Sequence, residues 1–266
     1  LNETFTHWKV YISPKLTEAE YAEGQVNELL KHNPNVTYSD SLHLGVSLRS
    51  YRAEKLSAFV HALLDINDNA ASIYADIKEN YPIVLTRDME KAKKWLQSKV
   101  RGTERTGVLI SKESARYKPL GIHVLPSGDE DAVHWFLEDK QDTRSSNYLE
   151  DAATEIQVQG LELDYTCLLW DADMRYENGK WHFYRFNGKT AWKEITNNKE
   201  TSSERIKYML NAYRVLLTRA RVGMVICVPE GNGTKNPNGY WEDSTRLPAY
   251  YDGTYQYLRS LGIEEI

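Results

Sequence analysis

Two stretches of the 266-residue chain gather side chains suited to holding a phosphate. The first runs Thr154-Glu155-Ile156-Gln157-Val158-Gln159-Gly160-Leu161-Glu162-Leu163-Asp164 and leads into an apolar run at Cys167. A Gln-Gly pair ahead of a strand offers bare backbone N–H groups to an anion, because glycine has no Cβ to screen them. The second runs Asn211-Ala212-Tyr213-Arg214-Val215-Leu216-Leu217-Thr218-Arg219-Ala220-Arg221 and leads into an apolar run at Met224. An arginine-dense helix end feeding a strand sets guanidinium groups at one edge of a sheet. Their planar, permanently charged forks match phosphate oxygens.

Other residues invite weaker readings. Leu168-Leu169-Trp170-Asp171-Ala172-Asp173 is an apolar strand ending in two carboxylates, either a metal-binding pair or a polar turn, with the turn preferred. Gly231-Asn232-Gly233-Thr234-Lys235 lacks the spacing of a phosphate loop and reads as surface. Asp129-Glu130-Asp131 reads as a solvated acidic turn, and the seven histidines show no zinc-like spacing, so no metal ligand is assigned. Asn211, Arg214, Thr218 and Arg221 share one helical stripe. Trp181 and Trp192 are candidates for stacking on bases, but aromatic packing within the meander is favoured.

The elements that must position these groups follow from periodicity. Trp8–Ile12 alternates as a short strand, and Thr17–Glu20 forms a capping box that opens a helix to about His32. Leu56, Phe59, Val60, Leu63 and Leu64 mark an amphipathic helix. A strand at 82–86 is followed by a helix carrying Met89, Ala92, Trp95, Leu96 and Val100 on one face. Gly107–Ile110, Ile122–Leu125, Cys167–Trp170 and Val225–Val228 are apolar runs, the last two continuous, as in strands buried on both faces. Asn178-Gly179 and Asn187-Gly188 are hairpin turns, so residues 173–195 read as a β-meander. Thr201–Glu204 is a second capping box, opening a helix with Ile206, Leu210, Tyr213, Leu217 and Ala220 on its apolar face. A last helix with Tyr255, Leu258 and Leu261 stops at Gly262. Strands alternating with helices give an α/β class with a parallel sheet.

Composition narrows the field. The chain is 41% hydrophobic and 27% charged, which excludes disorder, collagen and a disulfide scaffold. A net charge of −5 argues against a dedicated nucleic-acid binder, so any such contact is local or shared with another domain. No apolar run approaches the roughly 18 residues of a membrane span. Cys167 and Cys227 lie in apolar runs and read as reduced core residues, consistent with a cytoplasmic setting.

The two long segments resemble motifs V and VI of superfamily 1 helicases: T-x-x-x-x-Q/K-G-x-E and L-T-R-A-R. Leu44-Gly45-Val46-Ser47-Leu48-Arg49-Ser50 is similar to the L-x-x-N-Y-R-S segment after motif III, with Ser47 and Leu48 as departures. Together with Arg144-Ser145-Ser146 and Ala153-Thr154-Glu155, they look like the Schlafen group-three-like DNA/RNA helicase family. The resemblance implies a RecA-like fold of the P-loop NTPase type: a parallel sheet flanked by helices, with the meander as an insertion. It implies one C-terminal RecA-like domain over 1–266, with 231–266 as a terminal loop and helix.

It also implies roles. Arg49 and Arg219 match the arginines that reach the γ-phosphate of ATP. Gln159 and Gly160 match the pair beside the phosphates, Glu162 the carboxylate near the ribose, and Thr154 a residue on the nucleic-acid side. Leu48 replaces the aromatic that stacks on adenine, and Ile156 replaces the motif V histidine. The phosphate loop and Walker B acid are absent from these 266 residues. ATP and Mg²⁺ would therefore bind only with an N-terminal RecA-like ATPase domain, the expected partner alongside single-stranded DNA or RNA. The fragment alone is expected to be inactive. Two alternatives remain: a non-catalytic nucleic-acid or protein-binding module derived from a helicase, and a free-standing metal hydrolase using Asp171 and Asp173.

Overall fold

The computed structural model describes residues 7–13, 30, 33–42, 51–114, 116–126, 129–188, 191–196 and 200–266. The chain divides into two compact units, residues 1–50 and 51–266. In the first, β1 (Val10–Ile12) and β2 (Val36–Tyr38) form a parallel pair, with Val10 opposite Val36. Most of the helix expected from Thr17 to His32 lies outside the described residues, as do Leu44 to Ser50.

The larger unit is built on seven parallel strands. In chain order they are β3 (Ile83–Thr86), β4 (Thr106–Ile110), β5 (His123–Val124), β6 (Asp151–Thr154), β7 (Leu163–Leu169), β11 (Ala220–Cys227) and β12 (Glu264–Glu265). Across the sheet the order is β12-β3-β11-β7-β4-β6-β5. The helices are α1 (Tyr51–Leu64), α2 (Ala70–Ile77), α3 (Met89–Lys99), α4 (Asp129–Leu137), α5 (Glu200–Leu217) and α6 (Ala249–Ser260). This is the α/β class that the alternation of strands and helices predicts, and it is consistent with the RecA-like fold that the resemblance implies.

The central strands are apolar throughout because both of their faces are covered. Along β7, Leu168 joins a cluster with Leu63, Tyr74, Leu216 and Leu258, while its neighbours Cys167 and Leu169 join Ala92 and Leu96 of α3. Strand β11 repeats this, with Met224 and Ile226 on one face and Val225 and Cys227 on the other. Alternate side chains point to opposite faces, so a strand buried on both sides shows no period of two. Helix α3 opens on Asp88, whose carboxylate accepts from the N–H groups of Glu90 and Lys91.

The meander is antiparallel: β8 (Met174–Glu177), β9 (Lys180–Phe186) and β10 (Trp192–Glu194). Asn178 and Gly179 both have positive φ, 51° and 78°, at its first turn. It is pinned to α6: the Tyr176 N–H donates to Thr254 Oγ1 at 3.0 Å, and the rings of Tyr176 and Tyr257 stack at 4.1 Å. Trp181 stacks on Trp170 and Trp192 meets Phe186 edge-on, so both indoles pack within the fold.

Several local expectations need correcting. Asp129–Asp131 is not a loop but the start of α4; acidic residues suit a helix's first turn, where they oppose the positive end of its dipole. Helix α5 is already formed at Glu200, placing Thr201 inside its first turn. Ala220 and Arg221 belong to β11, so the stripe of Asn211, Arg214 and Thr218 does not continue to Arg221.

Candidate functional site

Strand register sorts the candidate residues onto two edges of the sheet. Thr154 ends β6 opposite Ile110, which lies opposite Leu169 near the carboxyl end of β7. Leu163, the first residue of β7, lies opposite Ala220, the first of β11. Six residues at about 3.3 Å each separate these levels by about 20 Å. Residues 155–162 cover that distance as a helix-free crossover, leaving Thr154 at the carboxyl edge and Glu162 at the amino edge.

At the amino edge the two arginine-bearing and glycine-bearing segments meet. The Leu163 N–H donates to the Arg219 carbonyl at 3.0 Å. The Arg219 guanidinium folds back on its own domain: Nε donates to the Val215 carbonyl at 3.1 Å, Nη1 to the Leu161 carbonyl at 3.2 Å and Nη2 to Thr218 Oγ1 at 3.4 Å. Arg219 is consequently only 6% exposed. On the crossover that leads to β7, Gln159, Gly160 and Glu162 are all exposed. Gly160 has φ +85°, and a Cβ built on it would meet nothing within 4 Å, so its backbone faces open space. Glu162 lies close enough to Tyr81 for its charge to add to the burial that holds that phenol well above its ordinary pKa. The Tyr81 hydroxyl donates to the Ala220 carbonyl at 2.9 Å. Asp164 takes the Arg221 guanidinium at 2.7 Å and the Arg105 N–H at 2.8 Å, fixing the entry to both strands.

The carboxyl edge differs in character. Thr154 is buried, and its N–H and hydroxyl both donate to Gln157 Oε1, at 2.8 and 3.1 Å. Gln157 Nε2 then donates to the Pro126 carbonyl. Glu155, which motif reading passed over, is 6% exposed and accepts from the Lys112 N–H and the Tyr208 hydroxyl. Its partners come from distant sequence, so no local signal marks it.

Asp171 and Asp173 are fully internal. Asp171 accepts from its neighbour's Ala172 N–H, the Arg116 N–H and the Tyr251 hydroxyl. Asp173 Oδ1 accepts from Tyr213 at 2.8 Å, while Oδ2 is buried without a hydrogen bond. Burial first, then the neighbouring charge of Asp171, pushes the Asp173 carboxyl up to about 7. Asp171 ties the segment at Arg116 to the end of β7, and Asp173 ties α5 to it. Among the described residues no group of three His, Cys, Asp or Glu side chains could hold a metal ion.

Arg49 lies outside the described residues, so its distance from Arg219 is not fixed by the structure. The structure does bring Arg219 to the Leu161 carbonyl, between Gly160 and Glu162 in sequence, at one edge and sets Thr154 on the opposite one. At that border the backbone around Gly160 and the Glu162 carboxylate are exposed, while the Arg219 guanidinium is held inward by its own backbone contacts.

A sequence model of the family described as Schlafen group 3, DNA/RNA helicase domain matches residues 1–230. No curated protein and no solved structure matches the chain. No described helix is long and apolar enough to cross a membrane.

Proposed function

The chain belongs to the Schlafen group 3 DNA/RNA helicase domain family, and on that premise we propose that it is the C-terminal RecA-like half of a superfamily 1 type motor. It works with an N-terminal RecA-like ATPase domain and single-stranded DNA or RNA. The observation that supports this reading is the junction at the amino edge, where the Arg219 guanidinium reaches the Leu161 carbonyl, between Gly160 and Glu162 in sequence, at the starts of β7 and β11.

The exposed border at Gly160 and the donor set around it suit a nucleotide that the partner domain presents with Mg²⁺. Gln159 and the Gly160 backbone would hold phosphate oxygens, and Glu162 would accept from ribose hydroxyls. ATP, when bound, supplies a cleavable γ-phosphoryl group. Arg219 would leave the Leu161 carbonyl and place its guanidinium on the charge that builds there, as Arg49 would from its own segment. Arginine fingers contribute about 10³–10⁵ in rate where they act. Thr154, some 20 Å away on the carboxyl edge by strand rise, would serve the strand-binding side, so that closure at one edge is felt at the other.

The engaged state of Arg219 also favours a second reading, a non-catalytic module in which those backbone contacts are permanent. Nucleic-acid-stimulated ATP hydrolysis by the protein together with its ATPase domain separates the two. The motor reading expects Arg219→Ala to lower turnover by about 10³ or more with little change in KM for ATP. Unchanged turnover would refute it. The 266 residues alone are expected to hydrolyse no ATP.

A further inference from the structure

The topology places a second crevice at the opposite edge of the sheet from Arg219. Strands β3 and β11 are hydrogen-bonded neighbours, but the chain leaves them in opposite directions. From β3 it runs through α3, on the Cys167 face, to β4 on one side. From β11 it runs through α6, on the Leu168 face, to β12 on the other side. Adjacent parallel strands whose connections diverge to opposite faces open a gap beyond their carboxyl ends, and that gap is where open α/β sheets bind ligands.

The gap is present as a cavity of about 520 Å³, bounded by the residues that follow β3 and β11 and by the segment around Arg116 to Ile122. That volume lies within the range of about 300–1,000 Å³ usual for small-molecule sites. Its base is apolar, formed by Met89, Tyr117, Ile122 and Cys227. Its rim carries Arg87, Lys93, Arg116 and Arg246.

At the rim Arg87 is paired with Asp252 at 2.7 Å and Lys93 faces Glu90 at 4.0 Å, so the uncompensated charge lies with Arg116 and Arg246. Arg116 and Arg246 share one carboxylate, Asp243, at 3.1 and 2.8 Å. Hydrogen bonds from Thr245 and these arginines hold that carboxyl below its ordinary pKa, so it stays ionised and still balances only one of the two cations. The Nε atoms of Arg87 and Arg116 are buried without a hydrogen-bond partner. Asp88 is occupied in capping α3, so an anion here would be held by guanidinium groups rather than by the helix end. Exposed Glu90 and Glu230 supply acceptors for hydroxyl or amino donors.

We propose that this crevice binds a small phosphate monoester with a flat, partly apolar body, of nucleoside monophosphate size. The phosphate meets Arg116 and Arg246, the body lies on Tyr117, Ile122 and Cys227, and its donors reach Glu90 or Glu230. The site is independent of the Arg219 edge. Strand β11 alone separates the two by about 23 Å, from its strand rise.

The test is calorimetric titration of the 266-residue chain with AMP, GMP, CMP and UMP, with inorganic phosphate alongside. At least one monophosphate should bind saturably. Arg246→Gln should weaken it by about tenfold or more, the effect of losing a charge-assisted hydrogen bond. Leu120 lies at the rim and is half exposed, outside every ion pair described, so Leu120→Trp should fill the mouth and abolish binding while leaving the melting temperature unchanged. Arg219→Ala should bind like the parent chain. Overturning results are silence with all four monophosphates at millimolar concentration, binding that survives Leu120→Trp, or binding of a short single strand with none of a monophosphate.

Discussion

Replacing Asp173 by Asn should reverse its effect on stability between acid and neutral pH. The carboxyl is 0% exposed, receives the Tyr213 hydroxyl on Oδ1 and leaves Oδ2 without a hydrogen bond. Burial, reinforced by Asp171, raises it from 3.8 to about 7. A carboxyl raised in the folded state binds its proton there more tightly than in the unfolded chain. Its contribution is therefore most favourable below about pH 4, declines as pH rises, and levels off above about pH 7. At about 1.4 kcal/mol per pH unit, ionised Asp173 costs about 4 kcal/mol above that range. Asparagine keeps the acceptor for Tyr213, carries no charge, and sets an N–H₂ where Oδ2 finds no partner, at a cost of about 1–3 kcal/mol. Asp173→Asn should thus be more stable than the parent by about 1–3 kcal/mol at pH 8, and at pH 4.5, where ionisation costs the parent only about 1 kcal/mol, less stable by up to about 2 kcal/mol. Urea unfolding of both chains across that range reads the difference directly. Parallel stability curves for parent and variant would refute the reasoning, because they would mean that Asp173 is ionised throughout.

Two further substitutions probe the packing around the site. Gly253 of α6 lies against the Tyr176 carbonyl so closely that a Cβ has no room, so Gly253→Ala should detach the meander from α6 and lower stability by about 3 kcal/mol or more, seen as a fall in Tm. Tyr81→Phe removes the hydroxyl that donates to the Ala220 carbonyl beside Arg219; it should cost about 1–2 kcal/mol in urea unfolding, and no loss would mean that the carbonyl finds another partner.

The elements legible from sequence are those whose signal is local. Strands β7 and β11 stand out because helices on both faces demand continuous apolar runs, and the meander because Asn178-Gly179 supplies two positive φ angles. Strand β6, Asp151-Ala-Ala-Thr154, shows neither run nor alternation and becomes a strand through pairing with β4. Strand β12 is two glutamates made extended by β3. Helix α2 is a short Ala-rich turn pair whose burial comes from α1 and the sheet.

The site divides in the same way. Gly160 and Arg219 stand out by type and spacing, but the approach of Arg219 to Leu161 depends on the register of Leu163 with Ala220, and the backbone contacts that occupy the guanidinium carry no sequence signature. The internal partners of Asp171, drawn from Arg116 and Tyr251, are likewise a product of tertiary structure. The crevice beside β3 is assembled from four separated segments and is visible only once the strand order is known.

The central claim is that Arg219 exchanges the Leu161 carbonyl for a phosphate. The most direct measurement is a crystal structure of the protein joined to its ATPase domain, with a non-hydrolysable ATP analogue, Mg²⁺ and a single strand. The account expects the Arg219 guanidinium within about 2.7–3.2 Å of a γ-phosphate oxygen, its bond to Leu161 released. A closed, nucleotide-filled complex with Arg219 still on the Leu161 carbonyl would contradict it.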